Sequence, residues 1–163
     1  LDEEAVAAML ETGAVLVPTR FVVERLLAMK DALPDYVDRK IRALAESHQE
    51  SLELAIRSGV SIALGTDSFT SGPGSAVPWG HNGEELTHLV AAGLSPLAAI
   101  EAGTAAAPAT LGPQAPRSGL LAEGYDADLI ALAADPLSDV TVLADPANVT
   151  HVWKDGVAVK TLC

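Results

Sequence analysis

The segment Gly59-Val60-Ser61-Ile62-Ala63-Leu64-Gly65-Thr66-Asp67-Ser68 constrains the fold most strongly. Residues 60–64 are apolar or small and lie between two glycines. A run of this length and character predicts a buried parallel strand covered on both faces. It closes with Gly65-Thr66-Asp67, which puts one carboxylate where a parallel strand opens into a loop. In α/β proteins ligands bind at that end of the sheet. Aspartate also caps turns and helices after strands, so the pattern alone leaves Asp67 open between a functional carboxylate and a cap.

The flanking segments extend the pattern. Residues 2–12 predict a helix with acids in its first turn and Gly13 at its C-terminal end. Residues 14–17 form a short apolar strand closed by Pro18-Thr19. A helix over 22–29 follows, Pro34 interrupts, and a longer helix runs over 35–58. Its apolar residues Val37, Ile41, Leu44, Ala45, Leu52, Ala55 and Ile56 keep helical spacing. Strand, helix and strand make a βαβ unit, hence an α/β fold. Residues 66–80 are a loop rich in Ser, Gly and Pro, long enough to mark a functional or mobile segment. Asn82 is expected to cap a helix reaching residue 92. Ser95-Pro96 opens another, with serine as cap and proline at the first helical position. A third, Ala-rich helix ends at Gly112, and Pro108 inside it predicts a kink or an early end. Residues 112–119 read as a linker. Beyond it come β-like runs at 128–132, 149–154 and 157–160, the last two joined by the hairpin signal Asp155-Gly156. The expected division is an α/β part over residues 1–112 and a small β unit over 113–163.

Composition narrows the partners. The chain is 49% hydrophobic and 20% charged, an ordinary globular balance. A net charge of −12 repels nucleic acid and anionic membranes and excludes both as main partners. No apolar run approaches the length of a membrane span. The acidic start, Leu1-Asp2-Glu3-Glu4, is not that of a signal peptide. The single cysteine, Cys163, allows no internal disulfide and fits a reducing, cytoplasmic compartment.

Among the four histidines, His48 falls between Leu44 and Leu52 at helical spacing and reads as a packed, hydrogen-bonded histidine. His81 stands at the mouth of the 66–80 loop. Glu85-x-x-His88 has the spacing of carboxylate-bridged metal sites, but such sites need further carboxylates from partner helices. His151 lies in the β unit and is expected to be exposed.

Ordered along nearly the whole chain are Val17-Pro18-Thr19, Gly65-Thr66-Asp67, Gly80-His81-Asn82 with Glu85-Leu86, and Gly93-Leu94-Ser95-Pro96. Ala102-Gly103-Thr104, Ala127-Asp128-Leu129 and Val152-Trp153-Lys154-Asp155-Gly156 follow. On these motifs the chain resembles the C-terminal part of metal-dependent hydrolases of the amidohydrolase superfamily, in the branch of imidazolonepropionase-like enzymes and metal-dependent prolidases. The resemblance implies a distorted (β/α)8 barrel holding one or two metals, commonly zinc, and a small β-sandwich built from both chain termini. Residues 14–18 would be the seventh barrel strand and 60–65 the eighth. Asp67 matches the aspartate that ligates the metal, takes the proton from the metal-bound water and passes it to the leaving amine. A bound metal lowers the pKa of its water to about 7, and a carboxylate within hydrogen-bond reach acts as general base.

The resemblance also places His81 near the active-site rim as a substrate contact, against simple loop-to-helix packing. It places Thr19 and Arg20 at the substrate-binding end of the seventh strand. There Arg20 either pairs with a substrate carboxylate or is a surface arginine. Asp128 is expected to be structural, tying the β unit to the barrel. The family's other metal ligands are a His-x-His on the first strand, a lysine or glutamate on the fourth, and histidines on the fifth and sixth. None is in this sequence, and a catalytic zinc takes three protein ligands. The expectation is a chain inactive and metal-free by itself. It would complete a hydrolase of small amide or peptide-like substrates only with the N-terminal half of the barrel. The alternative is a non-enzymatic module that self-associates through exposed strand edges.

Overall fold

The computed structural model describes residues 1–29, 33–70 and 74–162. The first helix, α1 (Glu3–Thr12), starts where the Asp2 carboxylate accepts the Ala5 N–H at 2.9 Å and stops at Gly13, which is left-handed. Strand β1 (Val15–Leu16) follows, then α2 (Arg20–Ala28), α3 (Asp35–Arg57) and β2 (Ser61–Ile62). The two strands pair in parallel, Val15 with Ser61 and Leu16 with Ile62. The expected βαβ unit is therefore present, with strands shorter than the apolar runs that signalled them.

One expectation about β2 is corrected. Val60, Ile62 and Ala63 are buried, but Ser61 is exposed. Val60 and Ile62 join Leu52, Ala55, Leu86, Leu89, Ala99 and Ala102 of the helices in one core.

Helix α4 (Glu84–Ala91) and α5 (Pro96–Gly103) complete the helical layer. Ser95 caps α5 as expected, its hydroxyl accepting the Ala98 N–H at 3.2 Å. Asn82 does not cap α4. The N-cap is Gly83, with no side-chain hydrogen bond, and the first N–H groups go to the backbone carbonyls of His81 and Asn82. Gly83 is needed because a Cβ there would overlap the carbonyl of Leu143, in a 3₁₀ turn (Val140–Ala144) packed on α4. The expected Ala-rich helix is a 3₁₀ segment, Ala107–Gln114. Its break comes at Gly112 (φ 59°), while Pro108 sits in its first turn, where a missing N–H costs nothing.

The C-terminal unit is an antiparallel sheet in the order β3 (Leu129–Leu132), β4 (Val149–Lys154) and β5 (Val157–Lys160). Asp155 (φ 50°) and Gly156 (φ 75°) make the tight turn between β4 and β5, as the dipeptide signals. Asp128 departs from its expected role. Its carboxylate accepts the Lys154 ammonium at 2.7 Å and the Asp155 N–H at 2.9 Å, so these bonds fasten β3 to the hairpin within the β unit rather than to the preceding α/β part. The Lys154 hydrogen bond holds its carboxyl below the ordinary aspartate range. His151 is half-buried rather than exposed, stacked on Trp153 with ring centroids 5.4 Å apart. No described helix is long and apolar enough to cross a membrane.

Candidate active site

Both parallel strands run into a residue with left-handed backbone. After β1 it is Thr19 (φ 54°) and after β2 it is Asp67 (φ 51°). Aspartate tolerates this region, whereas a β-branched threonine there is an outlier that its surroundings must hold. The two strand ends are in contact. A Cβ on Gly65 would overlap Val17 Cγ1 and would lie 3.8 Å from Thr19 Cγ2, so glycine at 65 is what lets the strands meet.

At the second strand end Asp67 is exposed, and Thr66 beneath it is buried, its hydroxyl 3.0 Å from that of Ser68. The following loop is tied at its base. The Thr70 carbonyl accepts the Trp79 N–H at 3.2 Å, and the Thr70 hydroxyl donates to the Val77 carbonyl at 3.0 Å. Val77 is fully buried against Phe21 and Val22 of α2. The tripeptide 71–73, part of the stretch expected to be functional or mobile, lies outside the described residues.

The first strand end is built from buried polar groups. Arg20 is 7% exposed, so it is not a surface arginine. Its guanidinium donates to Glu24 Oε1, at 2.9 Å from Nε and 2.5 Å from Nη2, and to the Ala45 carbonyl at 2.6 Å. It also lies 3.5 Å from His48 Nδ1. The His48 Nε2–H donates to the Pro18 carbonyl at 2.9 Å. His48 is hydrogen-bonded as its spacing implied, but half-buried, and burial lowers its pKa.

Helix α2 has no side-chain cap of its own at Thr19. Glu85 takes that place from α4. Fully buried, it accepts the Arg20 N–H at 2.9 Å and the Phe21 N–H at 2.5 Å. Two first-turn donors that a local Ser, Thr or Asp would normally satisfy are thus satisfied by a carboxylate 64 and 65 residues away. This lets α2 begin at Arg20, two residues before the position its sequence predicts. Burial pushes the Glu85 carboxyl up to about 7, opposed by the two backbone N–H groups and the Arg20 charge.

Glu85 is the residue that sequence reasoning valued only as half of a metal-site spacing. A signal was present. Glu85, Leu89 and Ala92 form the buried stripe of α4 and its C-terminal end, and a carboxylate on such a stripe needs donors. His88 is half-buried, with its pKa lowered by burial. His81 Nδ1 is 2.8 Å from Glu84 Oε1, which also accepts from Arg25 of α2. His81 thus belongs to a charged seam between α2 and α4. The structure brings Thr19 beside Gly65 at the Asp67 strand end, and it commits the Arg20 guanidinium to protein partners.

Among the described residues no group of three His, Cys, Asp or Glu side chains is placed to hold a metal. Asp67 supplies at most one ligand.

Comparison with known proteins covers nearly the whole chain. Residues 1–159 match the amidohydrolase family. An ochratoxinase from Aspergillus niger is 46% identical over 157 residues, which is 95% of this chain and 31% of the relative. The crystal structure of A. niger ochratoxinase superposes with a TM-score of 0.84 at 45% identity, over 98% of this chain and 35% of the other. A Xaa-Pro dipeptidase with methionine bound in its active site gives a TM-score of 0.82 at 30% identity, over 98% and 38%. A prolidase complexed with N-methylphosphonate-L-proline gives 0.84 at 29%, over 99% and 38%. The chain therefore spans about a third of the length of the proteins it matches.

Proposed function

The chain belongs to the amidohydrolase family, and from that premise we propose that it is the C-terminal portion of a metal-dependent hydrolase of carbon–nitrogen bonds. In this reading residues 1–112 are the last part of a (β/α)8 barrel and 113–163 contribute strands to a small β-sandwich. Strands β1 and β2 are the seventh and eighth of that barrel. The observation that carries the reading is the strand end at Gly65-Thr66-Asp67. An exposed carboxylate on left-handed backbone stands at the ligand-binding end of a parallel pair.

Asp67 accepts the proton of the attacking water as the new carbon–oxygen bond forms, and returns it to the nitrogen as the carbon–nitrogen bond breaks. The leaving group departs as a neutral amine. Family members generally bind metals, and zinc is the metal we assign. The described residues do not make a metal site alone, because Asp67 fills one position where a catalytic zinc takes three protein ligands. The others belong to a polypeptide of the relatives' length. Thr19 and His81 border the substrate at the rim, while Arg20, with its guanidinium turned to Glu24 and Ala45, shapes that rim from beneath. The substrate is a small amide or dipeptide-like molecule. Relatives named an ochratoxinase, a Xaa-Pro dipeptidase and a prolidase support that class. One cysteine in 163 residues fits a cytoplasmic site of action.

The test is hydrolysis of N-acyl amino acids and Xaa-Pro dipeptides by a polypeptide of the relatives' length. Activity lost on chelation and restored by zinc is the expected result. Hydrolysis indifferent to chelation would overturn the reading.

A second reading rests on exposed apolar surface. Ile130, Val157 and Val159 on the β unit and Leu121 before it are all exposed. Such surface favours further burial, and the 163-residue chain alone is expected to self-associate without hydrolytic activity. Light scattering that finds only monomer at micromolar concentration would remove this reading.

A further inference from the structure

We propose that Glu85 is a positioning residue for the strand-end face that carries Asp67. The inference rests on the reading of Asp67 given under Proposed function and goes beyond it, because Glu85 touches neither the reacting atoms nor Asp67.

The argument begins with an unfavourable local conformation. Thr19 is β-branched and left-handed, a state that persists only where its neighbours impose it. The neighbours that impose it come from two helices. His48 of α3 holds the carbonyl of Pro18, the residue before Thr19. Glu85 of α4 holds the N–H groups of Arg20 and Phe21, the two residues after it. The Arg20 guanidinium reaches back to α3 at the Ala45 carbonyl and so ties the two supports together.

The turn so gripped leans on the other strand. The Thr19 methyl and the Val17 side chain pack where Gly65 has no side chain, two residues before Asp67. Release of the turn from Glu85 therefore frees Thr19 to leave the left-handed region and moves the wall against which Gly65 and Asp67 are set. The side chain suits the task because, when ionised, both its oxygens accept and both are used. A glutamine can accept with one oxygen only, and its amide group would face a backbone N–H.

The experiment compares wild type, Glu85→Gln and Glu85→Asp in a polypeptide of the relatives' length. It records kcat and KM on an N-acyl amino acid and hydrogen–deuterium exchange by mass spectrometry. For Glu85→Gln the expected result is a kcat lower by about tenfold or more with KM within about twofold, assayed well below the melting temperature. Exchange should rise both in peptides spanning the 18–21 turn and in those spanning 64–68. Glu85→Asp, which keeps both acceptors on a shorter arm, should recover part of kcat. A variant that melts earlier but keeps wild-type kcat, with faster exchange confined to 18–21, would make Glu85 a helix cap only and overturn the inference. If Glu85→Gln does not fold, His48→Phe removes the grip on Pro18 from a half-buried position and is read in the same way. If wild type loaded with zinc hydrolyses no amide, the hydrolase reading fails. The exchange at 64–68 then decides the positioning role on its own.

Discussion

The two strand ends are alike in sequence and opposite in construction. Val-Pro-Thr-Arg follows β1 and Leu-Gly-Thr-Asp follows β2, and each contains one left-handed, non-glycine residue. At the first, the backbone is gripped by His48 and Glu85, and Arg20 is sealed beneath. At the second, Thr66 is buried but the Asp67 carboxylate faces solvent. One end is a support and the other presents a carboxylate. A presented carboxylate is useful only if it stands at a fixed place, and a glycine contact with the supported end provides that place.

Asp67→Asn separates presentation from support most sharply. Asparagine keeps the shape and tolerates left-handed backbone. The full-length protein should therefore melt within a degree or two of wild type, while kcat/KM falls by about 10²–10⁴-fold or more, the range for loss of a general base. A fall in melting temperature with activity retained would reverse the roles of the two ends.

Glu85 is the corresponding break on the supporting side. Glu85→Ala leaves two buried N–H groups without an acceptor, at a cost of about 1–3 kcal/mol each. The wild-type residue also predicts a pH dependence. The folded protein holds the Glu85 proton up to about pH 7, whereas the unfolded chain releases it near 4.5. The unfolded state is the less protonated across that interval, so this contribution to stability is fully present below about 4.5 and is lost as pH rises to about 7. Its total is on the order of 3 kcal/mol. Melting temperature followed from pH 4 to 8 should fall less steeply for Glu85→Gln than for wild type, and equal slopes would disprove the assignment.

The contact between the ends is tested by Gly65→Ala. The new methyl overlaps Val17 Cγ1 and should destabilise by about 1–3 kcal/mol. Val17→Ala in the same chain should recover much of that loss, because the pair shares one space. Additive effects in the double variant would mean that the ends do not touch. The smallest effect is expected from Asp128→Asn, remote from both ends. It removes an exposed ion pair with Lys154 and should alter only the β unit. The Asp128 carboxyl is held below its ordinary range, so its contribution is present at neutral pH and is lost as pH falls through the acid range. A measurable change in kcat from this variant would join the β unit to the active site.

The legible parts of the fold were those written in contiguous residues. The Gly-bounded run at 60–64, the Ser95-Pro96 helix start and the Asp155-Gly156 turn all form where local chemistry places them. Asn82 failed as a cap because the approach of the Leu143 carbonyl selects Gly83 for that position. Arg20 and Glu85 were misjudged for a related reason. One looked like a surface or substrate-facing cation and the other like half of a ligand pair, yet Arg20 reaches Ala45 and Glu85 reaches Arg20 and Phe21, all more than twenty residues away in the chain.

By itself, then, the sequence determined the βαβ unit, the hairpin and a carboxylate at a strand end, since propensity, turn chemistry and apolar periodicity act over a few residues. It also carried the motifs of the amidohydrolase family. Only the tertiary structure decided that Glu85 caps a helix to which it does not belong, that Arg20 is sealed inside, and that Thr19 leans on Gly65. A buried polar group must be satisfied by whatever the fold brings within hydrogen-bond reach, and that distance is set in space, not along the chain.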